Sequence, residues 1–219
     1  MDFDLVIFDC DGVLIDSEIL ANRAEVELLK SFGIEFELDD YMARFVGKST
    51  KDVLERIESL YNVSLPADFR KLAGEKIYEV FKKELKPIPG VVELINSIDK
   101  PKCVGSSSSL NRLDVTLKFT GLFDLLSPYI FSSEQVSRGK PAPDLFLFAA
   151  EQMKVDPNRC IVIEDSPHGV RAGIDAGMTV LGFVGGSHIQ HQHDLKLKKE
   201  GAIEVFSTMS EILVWFEQR

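Results

Sequence analysis

Apolar positions along the chain fall into two rhythms. Short unbroken runs occur at DLVIF (4–8), KCVGS (102–106), YIFS (129–132), CIVIE (160–164) and TVLGFV (179–184). Continuous rather than alternating apolar character predicts strands covered on both faces. Between these runs, apolar residues return at helical spacing over 90–98, 109–120, 142–153 and 167–176, and again near 208–217. Strand followed by helix, repeated, predicts an α/β domain with a doubly wound, Rossmann-like parallel sheet.

One region breaks this alternation. From Ser17 to Leu85 the pattern is helical, with no convincing strand. SEILANRAEVELLKSFG begins at an N-cap candidate, Asp16 or Ser17, and ends at Gly33. Further helices are predicted over 38–45, 50–60 and 67–84, and KPIPG (86–90) returns the chain to the α/β pattern. The predicted organisation is an α/β core from 1–16 and 86–219, with an inserted all-helical cap domain at 17–85. Linkers are expected near 13–17 and 85–89. The apolar stripe Ile19, Leu20, Val26 and Leu29 reads as cap core.

Composition narrows the partners. A chain of 219 residues suits one large domain carrying a smaller one. A net charge of −10 repels phosphate backbones, so nucleic-acid binding is not expected. KLKK at 196–199 reads as a solvated helix face. No run approaches the roughly 18 apolar residues of a membrane span, and MDFDLV lacks the basic start of a signal peptide. Cys10, Cys103 and Cys160 read as reduced, buried thiols rather than a disulfide or zinc framework. A cytoplasmic protein acting without a membrane is the expectation.

The chemistry gathers where such a sheet binds ligands, beyond the carboxyl ends of its strands. Asp9 and Asp11 follow the first strand and Ser106–Ser109 the second. GKPAPD, with Lys140, follows the third, and Glu164 and Asp165 end the fourth. Four carboxylates at one mouth require compensation. A hard cation with oxygen ligands supplies it, and Mg²⁺ fits best because it takes a few carboxylates plus a substrate phosphate. Lys140 adds a positive charge for an anionic group. Ser106 and neighbouring amides at a helix start can bind phosphate oxygens. A carboxylate in that setting can act as nucleophile, and a second can carry protons. Plainer readings exist for each part: an Asp-Gly turn, a serine N-cap, a loop lysine, acidic helix caps. HIQHQH (188–193) reads as a solvated loop, with His188, after GGS, expected at the rim of the site mouth.

Four motifs in order, FDCDGV (8–13), VGSSSS (104–109), GKPAPD (139–144) and VIEDSPHGVRAGIDAGM (162–178), resemble those of the haloacid dehalogenase-like hydrolase superfamily, in its branch with a helical cap. The resemblance covers almost the whole chain. It implies Asp9 as nucleophile and metal ligand, and Asp11 as general acid/base with its backbone carbonyl on the metal. It implies phosphoryl binding by Ser106 and the amide of Ser107, and charge neutralisation by Lys140. Asp165 and Glu164 would ligate Mg²⁺, Glu164 directly or through water. Members acting on halides or phosphonates lack a carboxylate at the position of Asp11, so the expected substrates are phosphate esters, such as sugar phosphates and similar small metabolites. Phosphomutases resembling β-phosphoglucomutase carry a histidine where this chain has Ala21, which favours a phosphatase over that alternative. A catalytically dead phosphate-binding module is the non-enzymatic alternative. In the cap, Arg44, Gly47 and Lys48 around FVGKST (45–50) are candidates for substrate choice, with Asn111 and Arg112 beyond the serine run. A monomer is expected from the same resemblance.

Overall fold

The computed structural model describes residues 2–45 and 50–219. Two of the cap candidates, Gly47 and Lys48, lie outside the described residues. Contacts divide the chain into two compact units, 1–16 with 86–219, and 17–85.

In the first unit, strands β1 (Leu5–Phe8), β2 (Lys102–Ser106), β3 (Ile130–Ser132), β4 (Cys160–Glu164), β5 (Thr179–Phe183) and β6 (Glu204–Phe206) form one parallel sheet of order β3-β2-β1-β4-β5-β6. Every residue of β1 and β4 is buried. Successive side chains point to opposite faces, so both faces of the central strands are covered. Leu5, Ile7, Val162 and Val180 share one core with Leu145, Phe146 and Ala149.

The connecting helices of this unit are α5 (Val91–Ser97), α6 (Leu110–Phe119), α7 (Phe123–Leu126), α8 (Asp144–Met153), α9 (Pro167–Asp175), α10 (His193–Glu200) and α11 (Met209–Glu217); the four preceding helices belong to the second unit. Helix α8 packs on β1, β2 and β3, and α9 on β4 and β5. Two of these elements, β6 and α7, are additions to the pattern read from the sequence, and α10 contains the KLKK segment (196–199) read there as a solvated helix face.

In the second unit, α1 (Glu18–Ser31), α2 (Leu38–Phe45), α3 (Thr50–Tyr61) and α4 (Phe69–Glu84) surround a separate core of Leu29, Ile34, Tyr41, Phe45, Val53, Ile57, Phe69 and Ala73. Phe36 stacks edge-on against Tyr41, Phe45 and Tyr61. Helix α1 closes where Gly33 takes φ +78°, with the Gly33 and Ile34 amides returning to the Lys30 and Leu29 carbonyls. No described helix is long and apolar enough to cross a membrane.

Candidate active site

The strand register sets the site. Phe8 lies opposite both Val104 and Ile163, so β1, β2 and β4 end side by side, and Asp9, Ser106 and Glu164 stand on one edge of the sheet. The Asp9 amide still donates to the Ile163 carbonyl at 3.0 Å, which fixes where the strand stops. The chain then turns tightly. The Gly12 amide reaches the Ile15 carbonyl at 2.8 Å, and Gly12 itself has φ +86°. A Cβ there would lie 1.9 Å from Asp165 Oδ2, so only glycine lets this turn pass the acid.

Lys140 joins β1 to β4. Its Nζ donates to Asp9 Oδ1 and to Glu164 Oε1, each at 2.5 Å, and its side chain is 5% exposed. The ring of buried Phe146 lies 4.8 Å below the ammonium. Arg138 clasps Asp144 through two hydrogen bonds and so brackets the short segment that presents the lysine. Burial alone would disfavour the charged lysine, but Asp9 and Glu164 outweigh it and push its pKa up.

The acids face the opposite balance. Burial drives the Asp9 carboxyl well above its ordinary range. Lys140 opposes that shift, and Glu164 and Asp165 add to it. Asp165 is raised by burial as well, with His188 pulling the other way. Ligand oxygens of Asp9, Glu164 and Asp165 lie within 4.8 Å of one another, all three residues buried. Three carboxylates against one ammonium leave two negative charges in excess, and every donor is an oxygen. That donor set fits a hard divalent cation.

Glu164 is held tightly. Its Oε2 accepts from the Ser166 amide at 2.8 Å and the Ser166 hydroxyl at 3.0 Å, in addition to the lysine on Oε1. The start of α9 can approach this closely because Gly169 has no Cβ; one would lie 1.7 Å from Oε1.

The serine run divides its work. Ser106 is buried, and its Oγ accepts from the Ser108 amide at 3.1 Å. The N-cap of α6 is Ser109, whose Oγ accepts from the Arg112 amide, so the plain cap reading belongs there and not to Ser106. Ser107 is exposed, and its carbonyl accepts from Ser133 Oγ at 3.0 Å. Ser108 Oγ donates to Asp11 Oδ2 at 2.6 Å, and Arg112 Nη2 donates to Asp11 Oδ1 at 3.0 Å. Of the further candidates, Asn111 is exposed on the first turn of α6, whereas Arg44 is exposed on the last turn of α2 in the helical unit.

The HIQHQH segment requires a correction. It was expected to be a solvated loop, and His191 is indeed exposed. His188, however, is only 9% exposed, with Nε2 3.1 Å from Asp165 Oδ2. His193, the first residue of α10, places Nε2 2.6 Å from the Asp165 carbonyl. The sequence signal was GGSH directly after a strand end; nothing in the histidine spacing marks the contact.

With the geometry in place, comparison with known proteins fixes the class. The chain belongs to the haloacid dehalogenase-like hydrolase family, whose pattern it matches over residues 3–177. The 6-phosphogluconate phosphatase of Escherichia coli K12 is 32% identical over 190 residues, which is 84% of each chain. A haloacid dehalogenase-like protein of unknown function from Agrobacterium tumefaciens superposes with TM-score 0.89 at 37% identity, over 99% of this chain and 98% of that one. A family hydrolase from Deinococcus radiodurans, solved with phosphate and sodium bound, superposes with TM-score 0.86 at 31% identity, over 99% and 96%.

Proposed function

We propose that this hydrolase is a Mg²⁺-dependent phosphatase of small phosphomonoesters, sugar phosphates or similar metabolites, acting through a phosphorylated Asp9. The observation that carries the reading is the buried Asp9–Lys140–Glu164 bridge, with Asp165 alongside. The phosphatase name of the Escherichia coli relative and the phosphate bound by the Deinococcus radiodurans relative support it.

Asp9, Glu164, Asp165 and the Asp11 carbonyl would hold Mg²⁺, which when bound supplies charge neutralisation and polarises phosphoryl oxygens. Lys140 keeps Asp9 oriented and its charge compensated. An Asp9 carboxylate oxygen attacks phosphorus, and the bond from phosphorus to the ester oxygen breaks. Asp11 donates a proton to that leaving oxygen. Ser106 and the Ser107 amide bind the phosphoryl oxygens. Asp11, now ionised, takes a proton from water as it attacks the phospho-aspartate, releasing phosphate and restoring the Asp9 carboxylate. Arg44 of the helical unit, and Asn111 and Arg112 of the α/β unit, are each candidates for substrate choice. Three buried free thiols support a reducing, cytoplasmic setting.

The test is hydrolysis of p-nitrophenyl phosphate. Asp9→Asn should abolish turnover in a folded protein, and EDTA should silence the wild type until Mg²⁺ is returned. Activity indifferent to either change would sink the mechanism. Glucose 1-phosphate should yield free phosphate and glucose rather than an isomer.

A further inference from the structure

We propose that His188 and His193 are positioning residues that clamp Asp165, side chain and carbonyl, so that its remaining carboxylate oxygen is held for a divalent cation. The proposal rests on the metal-binding reading above. Its basis is that two histidines of one segment converge on the same residue from another strand. His188 Nε2 meets Oδ2 at 3.1 Å and His193 Nε2 meets the carbonyl at 2.6 Å.

Carboxylate and carbonyl oxygens only accept, so both Nε2 atoms carry hydrogen, as a neutral imidazole tautomer allows. The His188 ring is confined. A Cβ on Gly12 would lie 2.8 Å from its Cε1, and one on Gly186 would lie 2.9 Å from Cε1 and Nδ1. Two backbones therefore wall the ring in, and a bulkier neighbour on either would displace it.

The segment bearing it is anchored on each side of His188. Ser187 donates to Asp16 Oδ1 through its amide at 3.1 Å and its hydroxyl at 2.8 Å. On the other side, His193 opens α10, whose Leu197 is fully buried. Left alone, an aspartate just past a strand end can rotate about its side-chain bonds. His188 fixes the side chain through Oδ2 and His193 fixes the backbone through the carbonyl, leaving Oδ1 for the cation. Partners of this kind behind a metal ligand typically carry about 10–100-fold of metal affinity.

Mn²⁺ binding to the full-length protein, followed by the electron paramagnetic resonance signal of the free ion, tests the clamp apart from catalysis. Asp165→Asn should remove the site. His188→Leu should weaken Mn²⁺ binding by about 10–100-fold. His188→Gln, whose amide nitrogen can replace Nε2–H, should recover most of the loss. The Mg²⁺ concentration for half-maximal phosphatase activity should move in parallel. A folded His188→Leu protein that binds Mn²⁺ within about twofold of wild type overturns the clamp while leaving the metal site standing. Should that variant not fold, His193→Ala at the half-buried start of α10 is read the same way, and unchanged affinity there overturns it. Wild-type protein that binds no Mn²⁺ removes the metal reading, and the clamp with it.

Discussion

Asp11 has both carboxylate oxygens engaged, one by Ser108 and one by Arg112. In the proposed role of Asp11 as proton carrier these donors supply its orientation, Ser108 from the turn after β2 and Arg112 from α6. The consequence separates two half-reactions. An alkoxide leaving group needs a proton, whereas p-nitrophenolate leaves without one. Asp11→Asn should therefore give a rapid burst of about one p-nitrophenolate per site and then turnover slower by about 10²–10⁴-fold, because phosphoenzyme hydrolysis still lacks its base. A linear time course at wild-type rate would remove Asp11 from the mechanism. Lys140 is a second residue-scale case. Lys140→Met leaves two carboxylates buried without their shared cation and should cost about 3–5 kcal/mol, seen as a lower urea midpoint. At this scale the sequence was informative about types but not about partners. Asp9 and Glu164 stood out at strand ends and Lys140 in the GKPAPD segment beyond the third strand, yet nothing local told that the lysine bridges the other two. The sequence placed His188 at the rim of the site mouth but did not show its contact, or that of His193, with Asp165, since residues 165, 188 and 193 meet only through tertiary packing.

Elements were legible in proportion to the apolar surface they bury. Four of the five strands that read as continuous apolar runs, β1, β2, β4 and β5, lie inside the sheet, and the fifth, β3, forms one edge with two of its three residues buried. β6 is a three-residue edge strand whose residues are exposed or half-buried, so no run announces it. Helix α10 buries only Leu197 among eight residues and shows no apolar stripe, and α7 is four residues long. Helix α11, by contrast, carries both its stripe and its start signal. Thr208 Oγ1 accepts from the Glu211 amide, and Glu211 returns to the Thr208 amide at 3.1 Å. Thr208→Ala should lower stability by about 1 kcal/mol in urea unfolding, with activity unchanged.

Strand ends are also pinned by charge. Asp4 and Arg159, just before β1 and β4, are paired, and the hydrogen bond from Arg159 leads in holding the Asp4 carboxyl below its usual 3.8. A carboxylate lowered in the folded state contributes stability that is present above the unfolded value and is lost as pH falls through the lowered one. Asp4→Asn should thus be less stable than wild type at pH 7, with the gap closing in acid below about 3.8. A gap that persists in acid would show packing, not the ion pair, to be responsible.

The whole molecule consists of two units with separate cores, and that division follows from the break in strand–helix alternation. The chain leaves the α/β unit and re-enters it at neighbouring points. The Asp16 amide donates to the Lys86 carbonyl at 3.1 Å, the Ile88 amide to Leu14 at 2.9 Å, and Ile15 bridges Pro87. Deleting 17–85 and joining the stubs by a short glycine-serine linker should leave an α/β protein with one cooperative thermal transition. Loss of that transition would make the helical unit obligatory for folding. The adjoining stubs have a consequence for descent. A segment whose two ends meet at a paired junction is an exchangeable cassette: recombination can replace it wholesale, at one seam, without re-threading a single strand. The helical core can then vary while the strand-end residues of the α/β unit are inherited intact.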